Sequence, residues 1–110
     1  MLSKRNRLSK KLFLEVFEKG SVYRSGILMC KVLKDPKLKG LFAVSISKKE
    51  VKTAVERNKI RRRFYSAIEK DIKKNKELPL GIIFFARKNT LELDFKVLCE
   101  EVARIIAKIR

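Results

Sequence analysis

The sequence contains no histidine and no tryptophan, and only two of its 110 residues are cysteines. Without histidine, the Ser-His-Asp and Cys-His catalytic arrangements cannot form within this chain. Zinc and copper sites built on imidazole are excluded for the same reason. Cys30 and Cys99 lie far apart in separate apolar runs, so we expect two buried free thiols in a reducing cytoplasm rather than a disulfide.

Acidic residues are also few, with 12 aspartates and glutamates against 29 lysines and arginines. The loop acids Glu50, Glu92 and Asp94 show neither metal-site spacing nor an arrangement suited to acid–base catalysis. We therefore expect no metal site and no catalytic residue in the protein. No apolar run reaches the roughly 18 residues of a membrane span, and none of signal-peptide length follows the charged N-terminus. The expected location is the cytoplasm, without membrane contact.

Positive charge is what the sequence has in abundance, with a formal net charge of +17. Eleven of these charges fall in two segments: residues 1–12 with five bases and no acid, and residues 48–63 with eight bases and two acids. A surface that only aids solubility is the plain alternative, but net charges of about 2–8 already suffice for that. An acidic membrane would favour an amphipathic helix without a compact core. Clustered like charges repel until a polyanion neutralises them, so we favour a polyanionic partner.

The length fits one domain. We divide the chain into a basic N-terminal arm, residues 1–8, and a single α+β domain, residues 9–110. Ser9 is expected to cap a first helix at its N-terminus, because apolar residues follow it at helical spacing. Gly20 is expected to end that helix as the residue after its C-cap.

Strand-like and helical patterns then alternate. The runs at residues 27–33 and 41–47 flank a turn signal and predict a hairpin. Residues 53–76 predict a long helix with an apolar stripe, and residues 80–86 predict a strand covered on both faces. Asp94 is expected to cap a last helix. The resulting order is α-β-β-α-β-α, an α+β sandwich with helices on a small mixed sheet.

The long helix carries a polar face beside its apolar stripe. Five side chains form this face: Arg57, Asn58, Arg61, Arg62 and Tyr65. Guanidinium groups bind phosphate bidentately, and an amide adds directional donors and an acceptor. A solvated face stabilised by ion pairs is the alternative, but too few acids lie within pairing distance along the helix. We therefore favour RNA contact at this face.

Two weaker signals accompany this face. The segment Ser45-Ile46-Ser47-Lys48-Lys49 leads into the helix, and its small serine side chains would let a nucleic-acid backbone approach the sheet. Phe13 and Phe17 lie one turn apart on the first helix. Such a pair is most often core packing, which we rank first on the residues alone. The alternative is a platform on which unpaired bases stack.

Four motifs occur in a specific order along the chain. They are Arg5-Asn6-Arg7-Leu8, Phe13-x-x-x-Phe17-x-x-Gly20, Ser45-Ile46-Ser47-Lys48-Lys49 and Ala54-Val55-Glu56-Arg57-Asn58-x-x-Arg61-Arg62. Their order and spacing resemble the protein subunit of bacterial ribonuclease P, over essentially the whole chain. The Arg-Asn block directly after Ala-Val is the most specific of the four.

The resemblance implies an RNA-binding protein of α-β-β-β-α-β-α fold with a left-handed βαβ crossover. It implies binding to the catalytic RNA of ribonuclease P, one protein per RNA, and assistance in removing the 5′ leader from precursor tRNA. The catalytic groups and Mg²⁺ ions would belong to the RNA. No DNA partner is expected. The alternative is a ribosomal or other structural RNA-binding protein.

The resemblance also assigns residues to two roles. Contact with the catalytic RNA is expected from Arg57, Asn58, Arg61, Arg62, Lys48, Lys49, Tyr65, Arg5 and Arg7. Contact with the leader, in a cleft between the first helix and the sheet, is expected from Phe13, Phe17, Ser45 and Ser47.

The sequence departs from the family pattern in three places. Tyr65 and Ser66 stand where the family usually has a further arginine and a glutamate. A link without glycine, residues 50–53, joins the lysines to the helix. Cys30 is expected to replace an aromatic residue of the cleft.

Overall fold

The computed structural model describes residues 7–25, 28–38, 40–74, 80–87 and 92–109, with residues 72–74 described by their backbone alone. Three helices lie within these ranges: α1 (Lys10–Lys19), α2 (Ala54–Lys74) and α3 (Phe95–Ile109). Four strands lie there as well: β1 (Ser21–Ser25), β2 (Leu28–Lys34), β3 (Leu41–Ile46) and β4 (Leu80–Ala86). The order α-β-β-β-α-β-α confirms the fold that the resemblance implies. β1 is the strand that the sequence pattern did not reveal.

The strands form one sheet in the order β1-β2-β4-β3. β2 is antiparallel to both β1 and β4, whereas β3 and β4 are parallel and are joined through α2. The predicted hairpin between the runs at 27–33 and 41–47 is therefore wrong. β4 is apolar along its length and lies between β2 and β3, where both of its faces are covered. The parallel crossover is present, and its left hand stays a prediction.

Helices cover both faces of the sheet. On one face, α2 and α3 enclose the larger core, in which Phe64 of α2 packs against Phe84 of β4. On the other face, α1 covers a smaller core in which Val16 packs with Ala43 and Ile83. Because side chains alternate along a strand, neighbouring residues of β3 and β4 contribute to different cores.

The ends of α1 follow from local chemistry. The hydroxyl of Ser9 accepts a hydrogen bond from the Leu12 N–H at 3.3 Å, which confirms the predicted N-cap. Gly20 ends the helix, but with φ of −71° rather than in the left-handed conformation. Its lack of a side chain is needed for another reason, since a Cβ there would lie 2.4 Å from the Val16 carbonyl oxygen.

The chain just before α1 lies against the sheet. Arg7 forms a parallel bridge with Phe42 of β3, and the Leu8 N–H donates to the Phe42 carbonyl at 2.9 Å. The last two residues of the predicted arm thus continue the sheet beyond β3. No helix in the described ranges combines the length and apolar character that a membrane crossing needs.

Candidate nucleic-acid interface

A turn between β3 and α2 presents the two predicted lysines. The Ser47 hydroxyl accepts from the Lys49 N–H at 3.2 Å, and the Ser47 carbonyl accepts from the Val51 N–H at 3.0 Å. Val51 is buried, whereas Lys48 and Lys49 are exposed. The serine hydroxyl therefore shapes the turn that holds the lysines out, rather than pointing freely to solvent.

α2 begins with a capping box that the sequence analysis did not identify. The Thr53 hydroxyl accepts from the Glu56 N–H at 3.2 Å and donates to the Glu56 carboxylate at 3.0 Å. The Thr-x-x-Glu spacing of this motif was visible in the sequence. The box satisfies an otherwise unpaired N–H group of the first turn and fixes where the basic face of α2 starts.

Arg57 fastens the turn to the helix. Its Nη1 donates to the Val51 carbonyl at 2.9 Å and to the Lys52 carbonyl at 3.0 Å, and the side chain is half-buried. Both acceptors are neutral carbonyl groups, so the positive charge of the guanidinium group is retained at the start of α2. The structure thus gives Arg57 a scaffold role beside the RNA contact that the resemblance implies.

The next turn of α2 groups three side chains of the predicted face. Arg61 Nη1 donates to the Asn58 Oδ1 at 3.0 Å, and Arg62 Nε lies 3.5 Å from the Asn58 carbonyl oxygen. Asn58 and Arg62 are exposed and Arg61 is half-exposed. Within the described part of the chain, no carboxylate pairs with either arginine. This turn therefore presents two adjacent guanidinium groups, pre-oriented by one asparagine, that keep their full charge.

Tyr65 lies at the edge of this face and is only 8% exposed. Its ring packs with the larger core, and the guanidinium carbon of Arg7 lies 4.8 Å from the ring centroid. The ring thus offers no open face for a stacking base. Contact between RNA and Tyr65 stays a prediction, limited to the exposed edge of the side chain. Arg5 lies outside the described residues.

Three aromatic rings line the opening between α1 and the sheet. The Phe13 and Phe17 rings are stacked with centroids 6.3 Å apart, and the Phe17 and Phe85 centroids are also 6.3 Å apart. Phe13 packs partly against the smaller core, whereas Phe17 is 43% exposed. The pair thus combines core packing with an open ring. Phe85 was missed, because its apolar run predicted a strand covered on both faces.

Lys31 of β2 joins this aromatic group. Its Nζ lies 4.0 Å from the Phe17 ring centroid and donates to the Phe17 carbonyl at 2.8 Å. Lys31 stands opposite Ile83 in the sheet and therefore points to the α1 side. No local pattern in the sequence links Lys31 to Phe17, since the two meet only when β2 packs beneath α1.

The strand register shows on which face of the sheet Cys30 and Ser45 lie. Cys30 is fully buried in the larger core, so the expectation that it replaces an aromatic residue of the cleft is wrong. Met29 stands opposite Phe85 and, like Lys31, is a β2 residue on the cleft side. Ser45 also stands opposite Phe85, from β3, and is half-buried beside the rings. Ser47 lies beyond the strand in the turn.

The described residues also bear on metal and thiol chemistry. Across those ranges, no three Cys, Asp or Glu side chains lie close enough to hold a metal ion together. Both cysteines are free thiols, as predicted, but only Cys30 is buried; the prediction of burial is wrong for Cys99, which is half-exposed. Burial raises the pKa of the Cys30 thiol to about 12, which keeps it protonated and unreactive at neutral pH.

Comparisons with known proteins agree on one family. The family model described as Ribonuclease P matches residues 2–110. The ribonuclease P protein component of Rickettsia canadensis (strain McKiel) is 35% identical over 80 residues, covering 71% of this chain and 68% of that protein. The Staphylococcus aureus RNase P protein structure has a TM-score of 0.72 at 18% identity, covering 96% of this chain and 95% of its own.

A second solved structure agrees with the first. The RNase P protein from Thermotoga maritima also has a TM-score of 0.72, at 20% identity, and the match covers 94% of this chain and 97% of that one. At such low identity the two structures establish similarity of fold. The sequence matches carry the family assignment.

Proposed function

The chain belongs to the ribonuclease P protein family, and from this premise we propose how its surfaces divide the work of a holoenzyme subunit. As a ribonuclease P subunit it has the ribonuclease P RNA as its partner. We assign one surface to that RNA and the other to the single-stranded leader of precursor tRNA. A ribosomal or other structural role, the earlier alternative, is not favoured by the family match.

The surface for the catalytic RNA is the basic face of α2 together with the turn before it. The observation that carries this assignment is the Asn58–Arg61–Arg62 group, whose guanidinium groups contact neutral oxygens and no described carboxylate. Phosphate contacts by lysine and arginine release counterions, so unneutralised cations contribute most to RNA affinity. Lys48 and Lys49 extend the same charge along the chain, and Arg57 holds the turn in place.

The surface for the leader is the opening between α1 and the sheet. Phe17 and its aromatic neighbours provide π faces on which unpaired bases stack, with little dependence on base identity. Lys31 lies within the same group and supplies a cation for the intervening phosphate. Ser45 at its side is small enough to leave room for a nucleotide. This combination of rings and a cation fits a single strand better than a duplex.

We place the chemistry of leader removal in the RNA. Across the described residues, no three Cys, Asp or Glu side chains lie close enough to hold a metal ion, and we assign the chain no step of the cleavage. Mg²⁺ ions held by the RNA would supply the activated water and the charge stabilisation. The protein then acts by binding and positioning, with one protein for each RNA.

Reconstitution tests this proposal. The protein is mixed with a bacterial ribonuclease P RNA and a precursor tRNA at low Mg²⁺, and cleavage and substrate affinity are measured. We expect the protein to lower the Mg²⁺ requirement and to tighten the binding of leader-bearing substrate relative to mature tRNA. The absence of both effects at every protein concentration would refute the proposal.

A matched pair of arginine variants locates the RNA contact. Arg61→Ala removes an arginine without a described carboxylate partner, whereas Arg104→Ala removes one that forms a 3.0 Å ion pair with Glu101 on α3. Both variants lose one positive charge. We expect only Arg61→Ala to weaken binding to the RNA and to flatten its salt dependence. Equal effects of the two would mean that overall charge, and not the face of α2, determines binding.

A further inference from the structure

Tyr65 occupies an unusual position for a residue on an RNA-facing helix. It follows Arg61 by one helical turn, yet its side chain is largely buried in the larger core. The Arg7 guanidinium carbon lies over the ring, 4.8 Å from its centroid. The side chain therefore links two basic segments of the chain, the N-terminal one and α2.

The chain around Arg7 is held at three points. Leu8 packs into the smaller core on the α1 side of the sheet, while the Arg7 guanidinium reaches Tyr65 on the opposite side. The side chains of successive residues in an extended chain point in opposite directions. Between them, the Leu8 N–H bonds to the Phe42 carbonyl at the edge of β3. The contact with Tyr65 ties this stretch of chain to a side chain of α2.

A cation above an aromatic face is attracted by the ring's quadrupole, most strongly where water is excluded. The contact of Arg7 with Tyr65 meets both conditions, because the ring is mostly buried. We propose that Tyr65 is a positioning residue, whose ring holds the basic stretch that starts at Arg7, residues 7–12, against the RNA-facing side of α2. This inference rests on the proposed function for its RNA partner, but the contact itself is independent of RNA.

The consequence is that two basic stretches lie side by side. Residues 7–12 hold three bases and no acid, residues 48–63 hold eight bases and two acids, and bringing them together costs electrostatic repulsion. The Arg7–Tyr65 contact offsets part of that repulsion before the RNA arrives. The RNA then meets a surface whose basic segments are already adjacent, so less conformational entropy is lost on binding.

The first test measures hydrogen exchange at the Leu8 amide in the protein alone. Tyr65→Phe keeps the ring, and we expect exchange within twofold of the unmodified protein. Arg7→Met removes the cation and leaves Tyr65 in the core, and we expect exchange about threefold to tenfold faster. Lys19→Met, which removes one exposed charge at the far end of α1, serves as the charge control. Tyr65→Leu removes the ring and keeps the other contacts of Arg7, and we expect similarly faster exchange. Unchanged Leu8 exchange in Arg7→Met or in Tyr65→Leu would overturn the proposal.

The second test measures binding to the ribonuclease P RNA across a salt series. We expect Tyr65→Leu to bind about threefold or more weakly than Tyr65→Phe, because both variants lose the hydroxyl and only Tyr65→Leu loses the ring. The fold-loss of affinity in the double variant Arg7→Met/Tyr65→Leu should be smaller than the product of the two single-variant losses, because both substitutions break the same contact. Independent, multiplicative losses would refute the positioning role.

The two tests also separate this inference from the function on which it rests. If the unmodified protein fails to bind the RNA, the proposed function is wrong, and Leu8 exchange still decides whether the contact holds the segment. If Tyr65→Leu does not fold, the Arg7→Met and Tyr65→Phe pair carries both measurements.

Discussion

Replacing Phe17 with alanine separates leader binding from folding more cleanly than any other substitution in the cleft. Phe17 is 43% exposed, whereas Phe64 in the larger core is fully buried. Truncating a buried phenylalanine costs about 3–5 kcal/mol of stability. For a ring that is only about half removed from water, area burial gives a cost of about 1–2 kcal/mol. A domain of ordinary stability, about 5–15 kcal/mol, therefore remains folded in the Phe17→Ala variant.

Phe17→Ala is expected to weaken leader binding strongly although the protein stays folded. A base stacked on an aromatic side chain contributes about 1–3 kcal/mol, which corresponds to about fivefold to 150-fold in affinity. The ring of Phe17 also contacts Phe13, Phe85 and Lys31, so its loss disorders the rest of the platform. We expect the reconstituted holoenzyme with Phe17→Ala to lose about tenfold or more of its preference for precursor over mature tRNA.

The assay compares dissociation constants for precursor and mature tRNA with a urea titration of the same protein. Leu14→Ala is the matched control, since Leu14 is 49% exposed on the same helix and takes no part in the described ring contacts. We expect it to leave the preference for precursor unchanged. An unaltered preference in Phe17→Ala, with the protein folded, would refute the leader assignment. Unfolding of Phe17→Ala would show that the ring serves mainly the core.

Five further outcomes are expected. Arg61→Ala should reduce the slope of log affinity against log salt for the ribonuclease P RNA by about 1, and an unchanged slope contradicts a phosphate contact. Thr53→Ala removes the capping box and should lower the free energy of unfolding by about 1 kcal/mol in a urea titration. Because burial raises the pKa of Cys30 to about 12, a maleimide at pH 7.5 should modify Cys99 in the native protein and both thiols only after unfolding. The raised pKa of Cys30 also stabilises the fold at high pH less than at neutral pH. This contribution to the free energy of unfolding should be lost as pH rises from about 9 towards 12, because the thiol loses its proton in the unfolded chain at a lower pH than in the folded protein. Lys31→Met should weaken precursor binding with little change for mature tRNA, and equal weakening of both would place Lys31 outside the leader site.

The features predicted correctly from sequence are those set by near neighbours in the chain. Ser9 caps α1 as expected, and the Asp94 carboxylate accepts from the Lys96 N–H at 2.9 Å just before α3. The apolar stripe of α2 also lies in the core as the periodicity indicated, with Ile60 and Ile68 fully buried. Each of these features depends on contacts within a few residues, which spacing reveals directly.

Strand pairing was predicted less well. The alternation of β3 was read correctly, but nothing in it indicates that its neighbour is β4, more than thirty residues later, instead of β2. β1 was missed because it is a short edge strand with both polar and exposed residues, so its pattern is weak. The position of Cys30 was misjudged for a related reason. Alternation groups residues by face but does not say which face meets which helix.

The candidate site also has one part that local sequence patterns revealed and one part that they did not. The basic face of α2 follows from helical periodicity and from the shortage of acids, so sequence alone identified Asn58, Arg61 and Arg62. The cleft required tertiary packing, because Lys31 and Phe85 reach Phe17 only across the sheet. Likewise, the burial of Tyr65 under Arg7 depends on the chain before α1 lying along the edge of β3.

Sequence alone therefore determined that this protein is strongly basic and, through the order and spacing of four motifs, that it resembles the ribonuclease P protein family. The tertiary structure decided which rings and cations share the cleft and how the N-terminal segment joins α2. Those arrangements arise from burying β4 at the centre of the sheet, with α1 on one face and α2 and α3 on the other. Burial of apolar surface is non-local and non-directional, so its outcome appears only in the folded chain.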